Sequence, residues 1–183
     1  MTDHRGKRVC VFCGSLRGRS PAYAQAARAT GQALAARGLG LVYGGSSIGT
    51  MRILADAALA GGAEVIGVLP ESLRDRELAH EGLTELHSVR GMHERKAMMT
   101  ALSDAFLVLP GGHGTLDELF EALTWSQLGY HQKKIGIWNV QGYWTPLLDM
   151  MDHMVAEQFV EPGNRARLLS GDELGPLLDR LFA

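Results

Sequence analysis

Residues able to do chemistry are concentrated in one stretch, Pro110-Gly-Gly-His-Gly-Thr-Leu-Asp-Glu118, and in the pair Arg95-Lys96 ahead of it. Gly111, Gly112 and Gly114 permit a tight turn and let backbone N–H groups approach an anion with no Cβ in the way. The apolar run Ala105 to Leu109 in front of them is short enough to be a buried strand. Behind them Leu116, Leu119, Phe120 and Leu123 follow the i, i+3, i+4, i+7 spacing of one helix face. Strand, glycine turn and helix in this order put unsatisfied N–H groups at the positive end of a helix, where phosphate binds. Thr115 is an N-cap candidate whose hydroxyl can alternatively face a phosphate oxygen. Glu118 falls about one turn into the helix, in reach of whatever the phosphate carries. The competing account is a plain strand-to-helix turn with Glu118 favouring the helix dipole.

Arg95 and Lys96 fall in the first turn or so of a helix read over Met92 to Ser103, with Met92, Met99 and Leu102 on its packed side. Cations there oppose the dipole, a mild cost that an anionic partner would offset. The alternative is a solvated basic pair. Arginine presents a planar, permanently charged fork, which suits it to orienting a carboxylate or phosphate and not to donating a proton.

The elements that must position these groups repeat in one order. Arg8 to Cys13, Leu41 to Tyr43, Glu64 to Leu69, Ala105 to Leu109 and Lys134 to Trp138 are short apolar runs separated by helical patterns, with a further short strand at Glu85 to Val89. Ser20-Pro21 reads as cap and first position of the first helix, which Gly38 and Gly40 close. Gly44 to Gly49 leads into a second helix ending near Ala60. Gln141 to Glu157 contains another, and Leu174 to Phe182 a last amphipathic one. Such alternation predicts a single α/β domain over 1–183, a Rossmann-like fold with a largely parallel sheet and helices on both faces. Ligands collect beyond the carboxyl ends of such strands. Gly14-x-x-x-Gly18 lacks the dinucleotide order, and Gly44 to Thr50 lacks the Gly-Lys-Ser/Thr of a triphosphate loop. The charged stretch Pro70 to Leu78 reads as a surface loop placed to close over the crevice.

A chain of 183 residues with a formal charge of −2 suits one domain, and argues against a nucleic-acid or membrane surface driven by bulk charge. No run approaches membrane-spanning length and no signal peptide is visible, so a cytoplasmic protein is expected. Cys10 and Cys13 are the only cysteines. Three apart on a strand they point to opposite faces, so reduced, buried thiols are expected in place of a redox or zinc pair. No metal-ligand cluster and no cofactor motif is evident.

The stretch Pro110 to Glu118 resembles the PGGxGTxxE motif of the LOG ("lonely guy") family of cytokinin riboside 5′-monophosphate phosphoribohydrolases, often labelled lysine decarboxylases. Phe12-Cys-Gly-Ser15, Tyr43-Gly-Gly-Ser-Ser-Ile-Gly49, Val65-Ile-Gly-Val-Leu-Pro70, Met92-His-Glu-Arg-Lys96 and Leu123-Thr-Trp-Ser-Gln-Leu-Gly129 resemble further family segments in family order. The resemblance runs from about Val9 to the helix after Gly142. It implies Arg95 and Glu118 as essential residues. It implies Glu77, Lys96, Gly111, Gly112, His113, Gly114, Thr115 and Thr124 as contacts to a nucleoside monophosphate, and a homodimer. The sequence adds little to the last point beyond an apolar excess near Trp125 and Met150-Met151. Ser46 and Asp117 depart from the commoner Gly and Glu.

That activity fits the residues. Splitting an N-glycosidic bond through an oxocarbenium-like ribose requires an anion beside the sugar, a positioned water and a stabilised leaving base. Glu118 is the natural anion. Glu121 shares its face, while Asp117 projects about 100° away around the helix. Pyridoxal-phosphate decarboxylation needs a Schiff-base lysine in a cofactor site, and none of the four lysines stands in one. Two alternatives remain open: a non-catalytic nucleotide-binding module, and a phosphoribohydrolase for ordinary purine monophosphates.

Overall fold

The computed structural model describes residues 6–73 and 79–183. Seven strands form one sheet: β1 (Arg8–Phe12), β2 (Gly40–Tyr43), β3 (Val65–Pro70), β4 (Glu85–Val89), β5 (Ala105–Val108), β6 (Ile135–Trp138) and β7 (Leu168–Gly171). All pairings are parallel, in the order β4-β3-β2-β1-β5-β6-β7. The helices are α1 (Pro21–Ala36), α2 (Gly49–Ala60), α3 (Met92–Ala101), α4 (His113–Gln127), α5 (Thr145–Ala156), the short α6 (Pro162–Arg165) and α7 (Leu174–Leu181). Among the described residues no helix is long and apolar enough to cross a membrane.

Side-chain alternation along β1 divides the core. Val9, Val11 and Cys13 join α1, α2 and α7 in one apolar layer, with Leu34, Leu54 and Leu177 fully buried. Cys10 and Phe12 face the other layer, with Met99 of α3, Leu119 and Ala122 of α4 and Met151 of α5. The two thiols therefore diverge, as a three-residue spacing on a strand requires, and both are free. The close approach of α1 and α2 depends on Gly31, where a Cβ would lie 2.5 Å from Leu54 O.

Local signals behave as their chemistry dictates at most ends. Ser20 caps α1, its Oγ accepting from the Ala22 N–H at 3.3 Å, with Pro21 at the first position. The C-terminal ends of α3, α4 and α7 meet near the amino ends of β5 to β7. Lys133 Nζ donates to Thr100 O, Lys134 Nζ to Arg180 O at 3.2 Å, and Arg167 Nη1 to Ser126 Oγ at 3.2 Å. These cations answer the negative helix ends. Beside them buried His131 accepts from the Lys133 N–H at Nδ1 and donates from Nε2 to Ala122 O, and burial holds its pKa below the usual value.

Topology sets the place of the site. From β1 the chain moves outward through β2 and β3 to β4, returns to β5 on the other flank, and continues to β7. The connections leaving the carboxyl ends of β1 and β5 therefore diverge, and a crevice opens between them.

Candidate active site

The turn after β5 enters that crevice. α4 starts three residues earlier than a Thr115 cap would place it: Gly112 is the N-cap, and Leu116 N–H makes an early intrahelical bond to Gly112 O at 3.1 Å. Thr115 is instead buried inside the first turn, where its hydroxyl leaves no room for a Cβ on Gly111. The longer first turn carries unsatisfied N–H groups at His113 and Gly114, both exposed. A Cβ on Gly112 or on Gly114 would meet nothing within 4 Å. The chain's own packing thus requires smallness at Gly111, and leaves open space in front of the other two.

The loop after β1 forms the facing wall. A Cβ on Gly14 would stand 3.5 Å from Gly111 Cα and 2.9 Å from Leu16 O. Thr50 clamps this loop to α2, donating from N–H and Oγ1 to Gly14 O at 3.1 and 2.9 Å. Tyr143, absent from the sequence-derived set, donates its hydroxyl to Gly111 O at 2.6 Å and stacks edge-on against Tyr23. Gly14 to Gly18, Tyr23, Pro110 to Gly112 and Tyr143 enclose a cavity of about 240 Å³. Gly14 and Ser15 were within reach of sequence reasoning, since they follow the first apolar run. Tyr143 was not, because nothing local links it to the glycine turn.

Arg95 sits across the carboxyl edge. It is 6 % exposed, with Nε donating to Val68 O at 3.0 Å and Nη2 to Gly44 O at 2.9 Å. Any side chain at Gly44 would overlap Nη2. Met92 is half-exposed and not packed inward as its spacing suggested; its sulfur lies 3.7 Å from Arg95 Nη1. Glu118 is half-buried on α4. The charges of both residues reach the thiols beneath: burial chiefly drives Cys13 up to about 12, Thr50 pulling down, Glu118 adding to the rise and Arg95 opposing it. Cys10 follows the same pattern, held well above the usual thiol range by burial first. Arg95 and Glu118 stand on α3 and α4, two helices that pack on the same face of the sheet through Met99, Leu119 and Ala122.

Lys96 faces elsewhere. Its Nζ lies 3.0 Å from Asp117 Oδ2 and 2.8 Å from Glu121 Oε2, so one buried cation ties α3 to α4. Burial pulls its pKa down, but the combined pull of Glu121 and Asp117 prevails and raises it. Thr124 is one turn further, donating to Phe120 O at 2.7 Å. Nine residues past Thr115, it lies about 14 Å along the axis. Thr124 lines a separate open groove of about 410 Å³ with Leu116, Asp117, Phe120, Glu121 and Trp125. Within one chain the structure thus gathers Gly111, Gly112, His113, Gly114 and Thr115 at one helix end, and puts Lys96 and Thr124 on another face of that helix. Glu77 lies outside the described residues. Ser46 is fully buried, its carbonyl accepting from the Tyr43 hydroxyl, and pairs with Ala79 where the described chain resumes.

Comparison with known proteins gives this geometry its context. A family model described as "Possible lysine decarboxylase" matches residues 51–181. The Oryza sativa subsp. japonica protein "Cytokinin riboside 5'-monophosphate phosphoribohydrolase LOG" is 46% identical over 177 residues, 97% of this chain and 73% of that one. The cytokinin riboside 5′-monophosphate phosphoribohydrolase of Rhodococcoides fascians is 50% identical over 164 residues, 89% of this chain and 83% of its own. Among solved structures, the Moco carrier protein of Chlamydomonas reinhardtii aligns with a TM-score of 0.72 at 16% identity, over 97% of this chain and 98% of that one, a likeness of fold alone. Relatives matched over nearly the whole chain carry one name, and on that ground the chain belongs to the LOG family of cytokinin riboside 5′-monophosphate phosphoribohydrolases.

Proposed function

We propose that the chain hydrolyses the N-glycosidic bond of an adenosine 5′-monophosphate, in the first instance one modified at N6, releasing the free base and ribose 5-phosphate. The 5′-phosphate sits on the first turn of α4 between Gly111 and Thr115. Glu118, one turn on, faces the ribose. As the C1′–N9 bond breaks, its electron pair leaves with the base, and positive charge grows on C1′ and the ring oxygen. The Glu118 carboxylate stabilises that charge most in the transition state, where a contact accelerates the reaction. Water adds its oxygen to C1′ and its proton balances the departing base. Arg95, held on two backbone carbonyls, orients and polarises without donating a proton.

The observation that carries this reading is Arg95, 6 % exposed and held on the carbonyls of Val68 and Gly44, on a helix packed against the same face of the sheet as the helix bearing Glu118. Burying a guanidinium costs several kcal/mol, and holding a phosphate on a helix end requires neither residue. A structural role on β2 and β3 would use that burial too, and the relatives named phosphoribohydrolases favour the enzyme over a carrier. The decarboxylase description has no matching lysine: Lys96 is held protonated by two carboxylates, and Lys133 lies at the amino end of the sheet, capping α3.

Base release from N6-isopentenyl-AMP, from AMP and from the corresponding ribosides tests the proposal. Charge-assisted hydrogen bonds contribute about 1.5–3 kcal/mol each, so the monophosphate is expected to exceed its riboside by about 100-fold or more in kcat/KM. Equal values would remove the phosphate from the helix end. A higher kcat/KM for AMP than for its isopentenyl derivative would move the substrate to ordinary purine monophosphates.

A homodimer belongs to the same proposal. Leu128, Tyr130, Met150 and Phe159 are exposed apolar side chains at the end of α4 and on and after α5, and a second copy would cover them. Sedimentation as a monomer at micromolar concentration is the result against it.

A further inference from the structure

We propose that Arg17 is the cation that pairs with the substrate's 5′-phosphate and so sets the preference for monophosphates. The inference rests on the phosphoribohydrolase reading and identifies one specificity-determining residue of that site. A phosphate monoester carries roughly −1.5 to −2 charges near pH 7, whereas a helix N-terminus supplies only about +0.5. A further positive group is needed at the turn, and the two cations that the motif pattern suggested are engaged elsewhere. Arg95 directs Nε and Nη2 to the carbonyls of Val68, within β3, and of Gly44, just after β2. Lys96 is clasped between Asp117 and Glu121 on another face of α4.

Arg17 is placed for the task. It lines the 240 Å³ cavity together with Gly111 and Gly112, the start of the phosphate turn. It is exposed, and among the described residues it makes no hydrogen bond or ion pair. Its loop is nevertheless held at both ends. Gly14 O takes two hydrogen bonds from Thr50, and Gly18 turns the chain with φ +70 while the Tyr23 ring packs 2.6 Å from where its Cβ would be. An arginine carried on so short and anchored a span can swing its fork onto an incoming anion with little backbone reordering. Arg19, two residues on, does not line the cavity and serves as a control of equal charge on the same loop.

The experiment compares wild type, Arg17→Ala, Arg17→Lys and Arg19→Ala. It measures steady-state base release from N6-isopentenyl-AMP, and equilibrium binding of AMP and of adenosine. Arg17→Ala is expected to raise KM about 10- to 100-fold, with most of the loss in KM and little in kcat. AMP binding should weaken by a similar factor and adenosine binding far less. Arg17→Lys should recover part of the loss through its charge, and Arg19→Ala should match wild type. Unchanged KM and AMP affinity in Arg17→Ala overturn the inference. So does an equal loss for AMP and adenosine, which would mark Arg17 as a support of the loop. If wild type releases no base from any monophosphate, the phosphoribohydrolase reading fails separately. The AMP arm then still decides: weaker binding in Arg17→Ala upholds the phosphate contact, and equal binding rejects it.

Discussion

Glu118→Gln is expected to slow single-turnover base release by about two to three decades while AMP binds nearly as before. The substitution keeps the size and hydrogen-bonding capacity of the side chain and removes its charge. A preorganised contact to charge that develops in the transition state typically contributes about 3–4 kcal/mol to the barrier. In the proposed site, monophosphate affinity depends instead on the first turn of α4 and on Arg17, and the N–H groups of that turn, Gly111 and Thr115 are untouched. Burst-free single-turnover kinetics beside equilibrium binding separates the two effects. Base release at the wild-type rate would sink the catalytic role and leave a binding module. The thiols offer an internal check, because Glu118 adds to the upward shift of Cys13. Glu118→Gln should therefore lower the Cys13 pKa, though burial will still keep the thiol well above the usual range.

Arg95→Ala is expected to impair both stability and rate. The guanidinium satisfies the carbonyls of Val68 and Gly44 in a buried setting. Truncation leaves those acceptors unpaired and opens space beside Met51 and Met92. Two charge-assisted bonds at about 1.5–3 kcal/mol each imply a loss of roughly 3–6 kcal/mol, a large share of a typical domain's stability. Chemical denaturation with an unchanged slope and a lower midpoint would show it. The rate should fall as well, if the proposed role of Arg95 holds, because the charge that orients and polarises the substrate is then gone. Gly44→Ala provides a gentler form of the same test: its Cβ displaces Nη2 without removing the charge. It should slow catalysis with a smaller loss of stability. Arg95→Ala with wild-type stability and wild-type rate would show that the buried fork is dispensable.

Much of this architecture was legible in the chain, for reasons tied to local physics. Apolar runs of three to six residues alternating with helical spacing are the pattern of strands buried on both faces of a parallel sheet. All seven strands are indeed parallel. Ser20-Pro21 marked the start of α1 because capping and the fixed φ of proline act within two residues of each other. β7 escaped notice: Leu168-Leu-Ser-Gly171 is a short edge strand with a single fully buried residue, too little pattern to separate from a loop. The start of α4 was misplaced for a related reason. Thr115 is a good capping residue, but its hydroxyl packs against Gly111, and tertiary packing carried the helix three residues further back to Gly112.

By itself the sequence determined the strand, glycine turn and helix to which the phosphate is assigned in the proposal, and supplied the one arginine and one glutamate proposed to work beside it. Those features depend on neighbours along the chain. Only the tertiary structure decided which groups meet. The order β2-β1-β5 puts the loop after Phe12 against the turn after Val108, although they are almost a hundred residues apart. It brings Tyr143 onto Gly111, and Val68 and Gly44 onto Arg95. It also separates Arg95 from Lys96, adjacent in sequence, sending one to the sheet edge and the other to Asp117 and Glu121. Successive residues on a helix point about 100° apart, so which of the two reaches Val68 and Gly44 depends on how α3 packs, and no local pattern contains that.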